Sequence, residues 1–143
     1  MEKLNAEQFG YIAGLIDAEC SIQINKRQHR SVVKGKEYIY QGYSLTLDMS
    51  NTNKDLILWC VENIGGYWGK KTNPQPRKWK QAYYWRISGK DCKKLLKNVI
   101  HLLIDKREKA LLAMNFPLKH QKRDRDYKDN LYLKMRELNK RGI

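Results

Sequence analysis

The chain has 143 residues, with 29 Lys and Arg against 15 Asp and Glu, for a net charge of +14. That length suits a single domain, residues 1–143, with one core. An apolar share of 41%, with no run near the roughly 18 apolar residues a bilayer needs, excludes a membrane-spanning segment; the basic excess calls for a polyanionic partner, nucleic acid first.

The polar start reads as a helix cap and not as a secretory signal. Asn5 caps a helix over residues 6–18, Gln8 completes a capping box, and Leu4 stands where it can staple onto Phe9. Phe9, Ile12, Ala13 and Ile16 mark one apolar face. Gly10, Gly14 and Ala18 recur every four residues on another face. Glycine inside a helix costs about 0.5–1 kcal/mol relative to alanine, so this stripe predicts close approach by a second helix. Asp17 and Glu19 fall at the helix end, where the dipole disfavours acids by roughly 0.3–1 kcal/mol.

Residues 21–27 alternate, Ile22 and Ile24 inward against Ser21, Gln23, Asn25 and Arg27, which predicts a strand with one wet face. Residues 28–42, basic and containing Gly35 and Gly42, read as a linker. Residues 43–50 alternate again, Leu45, Leu47 and Met49 against Ser44, Thr46 and Asp48. Thr52 or Asn53 caps a helix over 54–63, closed by Gly65 and Gly66. Residues 67–71 and 82–88 read as a strand pair around a proline-containing loop, "TNPQPRKWKQ". An amphipathic helix follows over 91–103, through Cys92, Leu95, Leu96, Val99, Leu102 and Leu103. Another covers 106–115 and stops before Pro117. After the charged link "KHQKRDRDYKD", a last helix runs over 130–140 and ends at Gly142. Cys20, Cys60 and Cys92 have unrelated spacings, fit neither a disulfide framework nor a zinc pattern, and read as reduced, buried thiols.

The order α-β-β-α-β-β-α-α-α predicts an α+β layer, a four-stranded antiparallel sheet with helices on one face. The other face is polar, and lysines and arginines alternate with Tyr and Trp through residues 67–88. On a chain of this charge, such a face makes a groove for nucleic-acid backbone and base edges. Its candidates are Gln23, Asn25 and Arg27, then Ser44, Thr46 and Asp48, then Tyr67, Lys71, Tyr84 and Arg86. Gln and Asn suit adenine, Arg and Lys guanine, and Asp the amino group of cytosine. Tyr67 and Tyr84 suit the core equally well, and a one-residue slip in register would invert the whole face.

Residues 12–20, "IAGLIDAEC", resemble the nine-residue LAGLIDADG signature, with identity at Ala13, Gly14, Leu15, Ile16, Asp17 and Ala18. "YYWRISGK" (83–90), "ELNKRG" (137–142) and the α-ββ-α-ββ-α order extend the resemblance over most of the chain. It points to the LAGLIDADG homing endonucleases, whose sheet forms a saddle over DNA, and one motif copy implies the homodimeric type. The resemblance implies a site-specific double-strand DNA endonuclease with a long pseudo-palindromic target. It further implies hydrolysis with Mg²⁺ or Mn²⁺ and mobility of a host intron. Its partners would be duplex DNA and a second copy, with no membrane and no small-molecule cofactor. Its compartment would be the one holding the target DNA, a prokaryotic cytoplasm or an organelle. An RNA maturase, or a DNA-binding protein that has lost cleavage, uses the same scaffold; the acid retained at Glu19 favours the enzyme.

By the same resemblance, Gly10, Ala13, Gly14, Asp17 and Ala18 belong to the dimer interface. Glu19 and the carbonyl of Ala18 are metal ligands, and Asp17 serves the helix end. Two carboxylates and two helix C-termini brought together would repel unless a divalent cation sat among them, and oxygen-only ligands suit Mg²⁺. Lys106 falls where a lysine approaches the scissile phosphate. Asn51 matches a water-ordering amide, and equally a neighbour of a helix cap. Three positions depart from the signature, Ile12 standing for the usual Leu as a close apolar match. Glu19 stands for the usual Asp, and Cys20 for a Gly, which would be strained if that backbone needs a positive φ.

Overall fold

A computed structural model describes residues 1, 3–72, 80–119 and 121–141, with backbone alone at 141. Nine principal elements follow in order: α1 (Ala6–Glu19), β1 (Cys20–Val33), β2 (Lys36–Asn51), α2 (Lys54–Asn63), β3 (Tyr67–Lys70), β4 (Tyr83–Ser88), α3 (Gly89–Val99), α4 (Arg107–Met114) and α5 (Arg125–Arg141). Single 3-10 turns at Ile100–Leu102 and Lys122–Asp124 link the last three helices. The strands form one antiparallel sheet in the order β1-β2-β4-β3, as the element order predicts.

The capping box is present. Asn5 Oδ1 accepts from the Gln8 N–H at 2.9 Å, and Gln8 Oε1 accepts from the Asn5 N–H at 3.0 Å. Ile12, Ala13 and Ile16 turn inward from α1 and meet one face of the sheet, built from Ile22, Ile24, Leu45, Leu47, Met49, Trp85 and Ile87. Ile57 and Cys60 of α2 complete the layer with Cys92, Leu95, Leu96 and Val99 of α3. The core Trp85 is satisfied, since its Nε1–H donates to the Gly65 carbonyl at 2.7 Å. All three cysteines are buried and free, and burial pushes the thiols of Cys60 and Cys92 up to about 12. No helix among the described residues is long and apolar enough to cross a membrane.

The linker expected over 28–42 is instead a hairpin. β1 and β2 pair without a break from Cys20 opposite Met49 to Val33 opposite Lys36. The chain reverses at Lys34 and Gly35, with φ of 52° and 78°, the doubly positive geometry that matches strand twist in two-residue turns. Beyond Ile24 and Tyr43 the hairpin outruns the core. Val32, Val33, Tyr38, Ile39 and Tyr40 are all exposed there, so no buried face imposes a period-2 pattern on the sequence.

The helix expected over 91–103 stops at Val99 and tightens into the 3-10 turn. The last helix starts at Arg125, five residues early, because its charged first turns have work against the hairpin. Asp129 accepts from Lys26 Nζ at 2.9 Å and from the Tyr43 hydroxyl at 2.7 Å. Those two hydrogen bonds, Lys26 first, hold its carboxyl below the usual range. Further along, Asn139 Nδ2 donates to the Ile22 carbonyl at 3.1 Å and so covers the outer edge of β1. The expected stop at Gly142, and residues 73–79 of the proline-containing loop, lie outside the described residues.

The turn from α2 into β3 needs Gly66. Its φ is 86°, and a Cβ there would overlap the Arg86 carbonyl oxygen and reach 3.0 Å from Trp85 Nε1. Gly66→Ala is therefore expected to cost about 1–3 kcal/mol, from left-handed strain and a backbone clash that cannot relax cheaply. Urea unfolding monitored by Trp fluorescence measures it.

Candidate functional site

Two surfaces concern function: the polar face of the sheet and the exposed end of α1. On the sheet, register decides. Gln23 lies opposite Thr46, Asn25 opposite Ser44, and Arg86 opposite both Asp48 and Tyr67. The parity expected from the sequence is the parity found, since Ile22, Ile24, Leu45, Leu47, Trp85 and Ile87 all take the core side. Gln23, Asn25, Arg27, Ser44, Thr46, Asp48, Tyr67 and Arg86 line one open groove of about 1060 Å³.

The groove is organised internally. Asn25 Nδ2 donates to Thr46 Oγ1 at 3.0 Å, and Gln23 Nε2 to Ser21 Oγ at 3.1 Å. Arg86 pairs with Asp48 at 3.3 Å and lies 5.6 Å from the centre of the Tyr84 ring. Hydrogen bonding to Tyr67, with Asp48 nearby, holds its guanidinium more firmly charged. Its Nε is buried with no hydrogen-bond partner among the described residues. Tyr67 and Tyr84 take the polar face and not the core. Tyr84 lies across Gly69, where a Cβ would come within 2.7 Å of its hydroxyl, and meets the Tyr67 ring edge-on at 6.3 Å. Strand alternation carries Lys71 to the same side, but Lys71 and Tyr84 stand outside the groove lining.

Sequence reasoning missed the outer part of this surface. His29, Tyr40, Lys122, Arg125 and Lys128 also line the groove. His29 and Tyr40 stack at 5.2 Å, over a Gly42 whose Cβ would strike the imidazole. Their parity continues that of Arg27 and Ser44, which was the available signal. Nothing in the charged link marks Lys122, Arg125 and Lys128 as groove residues.

At its C-terminus α1 has no base of its own in the last turn. Lys106 supplies one from outside, its Nζ donating to the Asp17 carbonyl at 2.6 Å. The Asp17 carboxylate returns the contact, accepting from the Ile104 N–H at 2.9 Å and the Lys106 N–H at 3.0 Å. Asp17 thus fastens the end of α1 to the start of α4, and Lys106, with its side chain only 12% exposed, is held beside Ala18 and Glu19. The usual cost of an acid at a helix end is offset by these donors.

Glu19 itself is exposed and has no hydrogen bond or ion pair among the described residues. Cys20 is extended, with φ −92°, so replacing Gly there creates no left-handed strain. Its thiol is pushed far above the usual range by burial and then by Cys60. Gly10, Gly14 and Ala18 are exposed, with nothing within 4 Å of where a Cβ on either glycine would sit. Ala13 departs from the expected interface set: at 3% exposure it belongs to the core of the chain. Asn51 Oδ1 accepts from the Asn53 N–H at 2.8 Å, and Asn53 caps α2 through the N–H groups of Asp55 and Leu56. That is the cap-neighbour geometry.

No cluster of three or more His, Cys, Asp or Glu side chains gathers among the described residues. Among the described residues Glu19 and the helix-end carbonyl of Ala18 are the oxygen groups at this point, hard donors of the kind Mg²⁺ or Mn²⁺ takes.

No protein-family model matches the chain, and no curated protein matches it. Solved structures do. An archaeal intron-encoded homing endonuclease, I-Vdi141I complexed with DNA, superposes with a TM-score of 0.73 at 17% identity, over 92% of this chain and 84% of that one. The homing endonuclease I-CvuI, in complex with a DNA target in the presence of magnesium and with the DNA not cleaved, gives 0.70 at 16%, over 92% and 82%. I-CvuI with its own target and calcium gives 0.63 at 16% identity, over the same shares of the two chains. The α+β architecture with its four-stranded antiparallel sheet is that of the LAGLIDADG homing endonuclease structures.

Proposed function

We propose that the chain is one subunit of a homodimeric, metal-dependent DNA endonuclease of the LAGLIDADG homing type, which cuts a long pseudo-palindromic duplex site and promotes the mobility of a host intron. The observation that carries this reading is Glu19, an exposed carboxylate with no hydrogen bond or ion pair among the described residues. It stands at the end of the bare Gly10, Gly14 and Ala18 face and follows directly into the polar sheet.

In this reading two copies pair through α1 and bring both Glu19 side chains to the two-fold axis. Glu19 and the Ala18 carbonyl would hold Mg²⁺ or Mn²⁺, which when bound activates water and stabilises the leaving oxygen of a phosphodiester. Lys106, fixed on the Asp17 carbonyl, contributes positive charge beside the scissile phosphate. Asn51, committed to the turn before α2, keeps its amide group as a candidate for ordering water. Gln23, Asn25, Ser44, Thr46, Asp48 and Arg86 face base edges, while Arg27, Lys71, Tyr67 and Tyr84 meet backbone and sugar. The charge of +14 steers the chain to DNA and supplies most of the sequence-independent affinity. One domain spanning residues 1–143 performs all of this, in whichever compartment holds the target.

The test is to incubate the protein with a randomised duplex library, with Mg²⁺ or with EDTA, and sequence the cut ends. Cutting at related sites with Mg²⁺ alone supports the enzyme. Selective binding without cutting would move the reading to a cleavage-deficient DNA-binding protein, and selective RNA binding to a splicing maturase.

A further inference from the structure

The groove changes character along its length. Near β4 it is polar, with Gln23 opposite Thr46 and Asn25 opposite Ser44. Beyond Arg27 and Gly42 it turns aromatic: His29 lies opposite Tyr40, Tyr38 lies opposite Ser31, and all three rings line the same groove. Tyr38 and Tyr40 are 51% and 49% exposed. Tyr40 is nevertheless held, because the His29 imidazole stacks on it at 5.2 Å in the space that the missing side chain of Gly42 leaves open. Exposed apolar surface in a built groove asks for a partner that is apolar at the matching point. Arg27 on the inner side, with Lys34 and Lys36 at the hairpin tip, brackets the rings with exposed positive charge. The partner is therefore a polyanion with an apolar spot.

We propose that Tyr38 and Tyr40 select thymine at the outer end of the DNA site by packing against its 5-methyl group. The inference rests on the DNA reading above and deepens it. Two arguments choose this occupant. The rings continue the polar stretch that faces base edges in that reading. A two-stranded ribbon also fits the major groove, where the thymine methyl is the apolar group a base pair presents. The reach can be stated. From Gln23 to Ser31 the strand runs eight residues, about 27 Å at roughly 3.4 Å a residue. DNA rises by about the same step, so the rings stand roughly eight base pairs outside the Gln23 position.

The experiment uses the full chain in EDTA, so that binding is read without cutting. Duplexes are selected from a randomised library, and one of them is remade with deoxyuridine for thymine at the outer positions. That change removes the methyl and keeps every hydrogen-bonding group. Thymine is expected to be enriched at the outer positions, and each replacement there should weaken binding roughly three- to fourfold by fluorescence anisotropy, the loss of one buried methyl. Tyr38→Ala combined with Tyr40→Ala should erase the difference between the two duplexes and leave the salt slope within about one unit. Tyr38→Phe with Tyr40→Phe should keep the difference. Equal binding of the two duplexes by the wild type, or another base enriched at the outer positions, overturns this inference and leaves DNA binding standing. Selective binding to no duplex overturns both. A thymine preference that survives the alanine pair also overturns the inference, since the methyl is then read elsewhere. Should the alanine pair lower the urea midpoint, Tyr38→Ala alone decides, by losing or keeping the discrimination at the outermost position.

Discussion

Glu19→Gln is expected to abolish cleavage while leaving DNA binding intact. Glutamine preserves the length of the side chain and can still accept a hydrogen bond. The Glu19 side chain makes no hydrogen bond or ion pair among the described residues, so its replacement removes little support from α1; the end of that helix is held by Asp17, Ile104 and Lys106. Fold and dimer should survive. What disappears is one negative charge in each half of the proposed shared site, and Mg²⁺ gives up its waters reluctantly for neutral ligands. Without the cation the water and the leaving oxygen lose several kcal/mol of stabilisation, roughly 10³-fold or more in rate. Removing two charges near the phosphates should also tighten binding slightly in EDTA. Lys106→Met behaves differently. It should slow cutting by roughly 10²–10³-fold and also lower stability, since the Asp17 carbonyl loses its donor. Gel shift and nicking on one duplex separate the two variants, and wild-type cutting by Glu19→Gln would reduce this carboxylate to a structural part.

Salt should weaken DNA binding steeply. Each neutralised phosphate contributes about −0.9 to the slope of log K against log salt, so six to ten contacts lose roughly 10³–10⁵ in affinity between 50 and 200 mM. Arg27, Lys122, Arg125 and Lys128 line the groove, and the proposed pairing would double that set. Removing a base reader acts otherwise. Gln23→Ala should relax preference at particular base pairs and leave the slope within about one unit. Arg86→Ala should do the same, with an added penalty, because Asp48 then faces the phosphates without its 3.3 Å partner. Titration by fluorescence anisotropy at several salt concentrations, on chosen and scrambled duplexes, resolves both effects. Flat affinity across that range would contradict a phosphate-dominated interface.

The features legible in the sequence were those with a buried side to enforce them. Ile22, Ile24, Leu45 and Leu47 alternate because one sheet face meets the helices, and the parity of the groove residues follows from theirs. Asn5 and Gln8 announced the start of α1 because capping is local chemistry. The hairpin beyond Ile24 was hidden because both its faces are wet, and only the short turn at Lys34 and Gly35 marks it. The early turns of α5 are hidden for a related reason, since Asp129 looks like solvated charge until Lys26 and Tyr43 lie beside it, and Lys128 until it meets the Lys119 carbonyl and the Phe116 ring. Ala13 carries two readings, the apolar face by periodicity and the interface by its signature position, and its angle on the helix sends it into the core. The contact of Lys106 with Asp17 spans 89 residues, and no local pattern encodes it.

The central claim is that one cutting site is shared by two chains, each contributing one Glu19. Co-refolding wild-type and Glu19→Gln chains in equal amounts, then measuring total strand scission with single-strand nicks counted, tests it most directly. Random pairing leaves about a quarter of the dimers with both acids, so a shared site predicts about a quarter of the wild-type activity at equal total protein. Activity falling only to about half would mean that each chain cuts alone, and the shared site would be wrong.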